Sequence, residues 1–162
     1  MQVTRQSEKA PVLRDLPSRL LAQTAALAGR AVTEAFEAEG AHRHQFAVLA
    51  TLEAFGAASQ AELCRRTDLD RSDMNTIVNA LEVDGSVIRA VDMDNRRRNI
   101  VTLTARGRRR FAQLKARLQE VQDRVLKPLS RAERSELVRL LQVLHDHLTS
   151  TPAPGVERWE NL

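Results

Sequence analysis

The chain has one cysteine, one tryptophan and no tyrosine. Cys64 alone allows neither an intrachain disulfide nor a cysteine-built zinc cluster, and it reads as a small buried helix residue. Beside Trp159 the only aromatics are Phe36, Phe46, Phe55 and Phe111. They are too few for the stacking platform on which single-strand binders lay bases. No apolar run approaches the ~20 residues that span a bilayer. Met1 to Arg14 holds no apolar stretch of the kind a secretory leader carries. These absences predict a cytoplasmic protein with no membrane partner. No glycine-rich phosphate or oxyanion loop is present, which argues against an enzyme, including a cysteine hydrolase built on Cys64 and a histidine. No cofactor is expected. His42/His44 and His145/His147 are each spaced two apart, which does not put two ligands on one helical face, so no metal site is expected either.

What is present is arginine. The 162 residues carry a formal net charge of only +4, but its distribution is uneven. Between Arg89 and Arg110 stand eight arginines against Asp92 and Asp94, a local excess of +6, which leaves the rest of the chain slightly acidic. Arginine outnumbers lysine 22 to 3, and its planar fork suits phosphate and guanine.

Apolar periodicity predicts a mainly α chain of six helices with a small β-hairpin. The first helix covers about Ser18 to Glu39, with Leu21, Ala25, Ala28, Val32 and Phe36 on one stripe and Gly29 placed for close approach of another helix. A second runs from Arg43 to Phe55. A third starts at the capping box Ser59-Gln60-Ala61-Glu62. A fourth follows Asp70 as N-cap, with Met74, Ile77, Val78 and Leu81 inward. Gly40, Gly56 and Gly85 mark helix ends. The period then changes: Val87 to Val91 and Asn99 to Leu103 read as strands joined by the basic loop Asp92 to Arg98. Helical pattern resumes after Thr104 as N-cap and again after a second capping box at Ser130 to Glu133. The implied divisions are a flexible segment 1–16, an N-terminal dimerisation helix 17–42, a winged helix-turn-helix 43–104, C-terminal dimerisation helices 105–149 and a flexible tail 150–162.

Two short helices, a tight turn and a following hairpin make a winged helix-turn-helix, whose second helix fits the major groove of duplex DNA. On the fourth helix Arg71 and Ser72 lie in the first turn, placed for phosphate. Asn75 and Asn79 share a face and suit adenine, and Thr76 suits a thymine methyl or a phosphate. Asp73 is expected to cap the helix or hold an arginine. Arg96, Arg97 and Arg98 at the wing suit the minor groove.

The wing Asp92-Met93-Asp94-Asn95-Arg96-Arg97-Arg98, the run Val101-Thr102-Leu103-Thr104 with Gly107, and the stretches Gln45 to Leu49 and Leu129 to Arg134 together resemble the MarR family of bacterial transcriptional regulators. The resemblance covers about Leu20 to Leu148. It implies a homodimer, paired through the first and last two helices, that acts on a pseudo-palindromic operator. The apolar stripes Leu21 to Phe36 and Leu137 to Leu148, too extensive for the winged core to cover, agree with that. It further implies a repressor released by a small phenolic or anionic effector in a crevice beside the first, second and fifth helices, where His42 and His44 are the candidate contacts. Two positions depart from the family pattern. Asn95 stands where an aspartate is usual, and Thr76 where a basic residue is usual. The alternative reading is a winged-helix module that acts mainly through protein partners.

Overall fold

The computed structural model describes residues 10–91 and 99–150. Readings that concern 1–9, 92–98 and 151–162 lie outside them. The elements in order are α1 (Pro11–Arg14), α2 (Pro17–Ala38), α3 (Arg43–Phe55), β1 (Ala58–Ser59), α4 (Gln60–Thr67), α5 (Arg71–Val83), β2 (Val87–Val91), β3 (Asn99–Leu103), α6 (Ala105–Val125) and α7 (Arg131–Ser150). Seven helices therefore stand among the described residues where six were expected. The extra one is the four-residue α1, within a stretch read as flexible. The hairpin is also larger than expected. Ala58 and Ser59 pair with Val101 and Ile100, making an antiparallel sheet in the order β1-β3-β2. Two residues are too short to show an alternation, so this strand left no periodic signal.

Residues through Gln122 form one compact unit and those from Asp123 a second. The first unit takes in most of α6. The reason is packing: Leu114 and Val121 on α6 are buried, with Leu114 in the same core as Phe36, Leu49, Met74, Val87 and Val101. Each such side chain taken from water contributes ~1.5–3 kcal/mol. The scarce aromatics are concentrated here. Phe46 stands 5.4 Å from Phe36 and 5.5 Å from Phe111, ring centre to ring centre, so one stack ties α2, α3 and α6.

Side chains close the helix ends. Ser59 Oγ accepts from the Glu62 N–H at 3.3 Å while Glu62 Oε2 accepts from the Ser59 N–H at 2.8 Å. Ser130 and Glu133 repeat the arrangement at the start of α7. Asp70 Oδ1 accepts from the Asp73 N–H at 2.8 Å and starts α5. The α4–α5 turn passes through Asp68 at φ 54°, a left-handed position that aspartate tolerates.

Gly107 shows the tightest constraint. A Cβ there would lie 2.0 Å from the Ser86 carbonyl oxygen. Thr104 fixes this approach: its N–H and Oγ1 donate to Ser86 O, and its Oγ1 accepts from the Gly107 N–H at 3.0 Å. Gly29 behaves differently. A Cβ there meets nothing within 4 Å among the described residues.

Candidate nucleic-acid interface

Helix α5 is held by one face and open on the other. Met74, Ile77, Val78 and Leu81 are buried, whereas Arg71, Ser72, Asn75, Thr76 and Asn79 are all exposed. The sequence-predicted row thus shares one outward surface. The helix begins at an N-cap carboxylate, and its first-turn Asp73 matches the positive end of the helix dipole. Thr76 Oγ1 donates to Ser72 O at 3.1 Å, so its hydroxyl proton is used within the helix.

Next to this row lies an open concavity of about 560 Å³, lined by Ser59, Gln60, Cys64, Arg65, Arg71, Asn75 and Asn99 among others. It brings two guanidinium-bearing residues, Arg65 from α4 and Arg71 from α5, to one hollow beside the wing strand. Arg65 was missed in the sequence. Its signal was available: it falls in the last turn of the first helix of the pair, the helix that crosses the DNA backbone. Cys64 lines the same hollow, and its thiol is half-buried with the Asp70 carbonyl 3.7 Å from its sulfur.

The arginine excess divides on inspection. Arg89 on β2 donates through Nε to Glu82 Oε2 at 2.9 Å and through its backbone N–H to Glu82 Oε1 at 3.3 Å. Its Nη2 also reaches Glu82, and donates to Asn79 Oδ1 at 2.6 Å. The hydrogen bond from Arg89 holds the Glu82 carboxyl below the usual carboxylate range. Arg106 pairs with Asp84 at 2.8 Å and lowers the pKa of that carboxyl too. Arg108 lies 3.5 Å from Glu53, and Arg110 donates to the Glu39 carbonyl. Four of the eight arginines are therefore partners of this chain's own acceptors. Their shared sign had suggested a common outward role, but charge counted along a sequence does not reveal where the partner carboxylates come from. Arg96, Arg97 and Arg98 fall outside the described residues. Asp73 was expected to cap α5 or hold an arginine. Asp70 is the cap, and among the described residues no arginine pairs with Asp73.

His42 and His44 do come together, with ring centres 4.6 Å apart. His42 is also the N-cap of α3: its Nδ1 accepts from the His44 N–H at 3.3 Å, and Gln45 Oε1 accepts from its own N–H at 2.9 Å. Sequence reasoning missed this capping box because histidine is not among the usual cap residues. His44 Nε2 accepts from Arg43 Nε at 3.1 Å. Burial, His42 and Arg43 lower the His44 pKa, against an opposing pull from Asp73. Both rings thus act as acceptors. With Gln45, Asp73, Thr76, Ile77 and Ala80 they line a cavity of about 380 Å³ between the start of α3 and the reading face of α5. Among the described residues no group of three His, Cys, Asp or Glu is placed to hold a metal ion, and no helix is long and apolar enough to cross a membrane.

A sheet-flanked helix pair with an open polar reading helix defines a winged helix-turn-helix protein. The MarR family profile matches residues 40–98. The chain is 31% identical over 125 residues to an HTH-type transcriptional repressor of Mycobacterium bovis, covering 77% of this chain and 90% of that one. A putative transcriptional regulatory protein for the hcr operon of Thauera aromatica is 33% identical over 95 residues, 59% of this chain and 57% of that one. Among solved structures, a probable transcriptional regulator from Pseudomonas aeruginosa superposes with a TM-score of 0.72 at 29% identity, over 82% of this chain and 98% of that one. PcaV of Streptomyces coelicolor, solved with its natural ligand, gives 0.70 at 26% identity, over 85% and 97%. The chain belongs to the MarR family of transcriptional regulators.

Proposed function

We propose that the protein is a homodimeric repressor that binds a pseudo-palindromic operator in duplex DNA in the cytoplasm and is released by a small phenolic or anionic effector. The observation that carries this reading is the α5 surface. Five polar side chains stand outward along one helix whose opposite face is sealed into the core, beside a hollow lined by Arg65 and Arg71. Arg71 and Ser72 would meet phosphate, Asn75 and Asn79 base edges, and Thr76 a thymine methyl. Arg96, Arg97 and Arg98 are assigned to the minor groove on sequence alone. Dimerisation is supported by exposed apolar residues: Leu20, Leu21 and Leu27 on α2, and Leu141, Leu144 and Leu148 on α7.

The effector reading rests on the His42/His44 cavity, whose size is in the range of small-molecule sites. The two imidazoles and the Gln45 amide offer hydrogen-bonding partners to a phenolic hydroxyl or to a carboxylate. Thr76 and Asp73 belong to α5, so an occupant there would abut the helix that reads DNA. Relatives of this fold support ligand control: PcaV was solved with its natural ligand, and regulation of DNA binding by 6-hydroxynicotinic acid is described for BpsR of Bordetella bronchiseptica.

Selection of bound sites from random duplex DNA tests the proposal. A two-fold repeat with half-sites about 10 bp apart is expected, and a phenolic acid added to the complex should release it. Indifference to duplex DNA at low ionic strength would end the reading and return the protein-partner alternative.

A further inference from the structure

Asn79 is exposed on the reading face of α5, yet its amide is not free to choose its orientation. Its Oδ1 accepts from Arg89 Nη2 at 2.6 Å, and the same guanidinium is anchored on Glu82 through Nε at 2.9 Å. The anchor is rigid at both ends. Asn79 and Glu82 are three residues apart on α5 and share an edge of the helix. Arg89 is two residues from the fully buried Val87 on β2, on the same face of the sheet, opposite Val101, which is also fully buried. The Arg89 side chain retains only 23% of its exposure. A bond from a charged donor is roughly twice as strong as a neutral one, so the amide oxygen stays turned toward Arg89.

This changes what Asn79 is able to read. Bidentate recognition of adenine needs the amide oxygen to accept from N6 while the amide nitrogen donates to N7. Here a second donor on Oδ1 would have to approach beside a guanidinium already seated there. What remains outward is the Nδ2 group with its two N–H donors. The major-groove edge with two acceptors and no donor belongs to guanine, through N7 and O6.

We propose that Asn79 reads guanine rather than adenine, and that Arg89 is the positioning residue that imposes this choice by fixing the amide. The inference rests on the DNA-reading function proposed above. It converts the adenine expectation for Asn79 into a donor-only contact, and it leaves Asn75 as the adenine candidate.

The test uses the full chain and the duplex selected from random DNA. Competition binding of wild type and Asn79→Ala across all single-base variants identifies the base pair that Asn79 reads. Guanine is expected there. Replacing it by adenine or by 7-deazaguanine, which lacks N7, should weaken wild-type binding by about 10-fold and leave Asn79→Ala indifferent. Asn79→Asp, which keeps an acceptor for Arg89 but has no N–H to offer, should lose the guanine preference. Arg89→Met should release the amide and move the preference to adenine. Should Arg89→Met fail to fold, Asn79→Asp and the deazaguanine measurement still decide. Adenine preferred by the wild type at the Asn79-sensitive pair, or no pair sensitive to Asn79→Ala, overturns this assignment while the DNA-binding function stands. A wild-type protein that selects no duplex overturns both.

Discussion

Helix α5 sets Met74, Ile77, Val78 and Leu81 into the core and turns its polar residues outward, whereas α7 buries none of its residues although Val138, Leu140, Leu141, Val143, Leu144 and Leu148 stand along it. Both helices are amphipathic and both open on a capping side chain. The apolar face of α5 is answered within its own chain, and that of α7 is left open to water. Exposed apolar residues of this kind are what the proposed subunit contact would cover. The contrast teaches that local sequence signals make a helix, while the partner of its apolar stripe decides whether one copy of the chain is a finished object.

The most forceful way to break the comparison is to charge the open face. Leu141→Glu with Leu144→Glu should give a monomer by light scattering with its helix content retained. Operator affinity should fall by about 100-fold, because two half-sites are no longer engaged together. An unchanged mass would place the subunit contact elsewhere. The closed region answers to a different insult. Gly107→Ala forces a methyl against the Ser86 carbonyl, and denaturant unfolding should show a loss of about 3 kcal/mol. A neutral result would mean that the Thr104 turn can relax.

Smaller perturbations sharpen the contrast. Arg96→Ala with Arg97→Ala should leave thermal stability intact and flatten the salt dependence of DNA binding by roughly one unit of slope per lost phosphate contact. An unaltered slope would remove the wing from the interface. Ser59→Ala and Ser130→Ala delete the same capping oxygen in the two regions and should each cost about 1 kcal/mol at most. The loss should be larger at Ser59, which is buried in the core-bearing unit, than at Ser130. Equal losses would show that capping is indifferent to its surroundings. The smallest effect is in pH. The folded pKa of His44 lies below 6.5. Between that lowered value and 6.5 the unfolded chain binds more protons than the native one. The His44 contribution is therefore complete above 6.5 and is lost as pH falls through this window. The melting temperature should decline on acidification there, and His44→Gln should reduce the decline.

Much of this architecture is legible in the residues. The ends of α3, the strands β2 and β3, and the caps at Ser59, Asp70, Thr104 and Ser130 follow from periodicity and side-chain chemistry within a few positions of each other. What escaped was non-local or unconventional. β1 exists only because β3 offers it an edge. His42 caps a helix with a ring nitrogen. Arg89, Arg106, Arg108 and Arg110 find acceptors at Glu82, Asp84, Glu53 and the Glu39 carbonyl, contacts made by the fold and absent from any short stretch of sequence. The outward row on α5 was readable because one helix carries it all. Arg65 was readable too, from its place in the last turn of α4, but the hollow it lines was not, because residues of α4, α5 and β3 build it.

The Arg89 tie has a consequence for redesign. An attempt to retarget this regulator by grafting a foreign reading helix would bring new side chains at 79 and 82 but leave the guanidinium on β2 without its acceptors. That half-buried cation would then recruit whatever oxygen lay nearest and twist the graft away from its intended code. The transplantable unit is the helix together with the strand residue that disciplines it, and libraries meant to alter sequence preference should vary 79, 82 and 89 as one set.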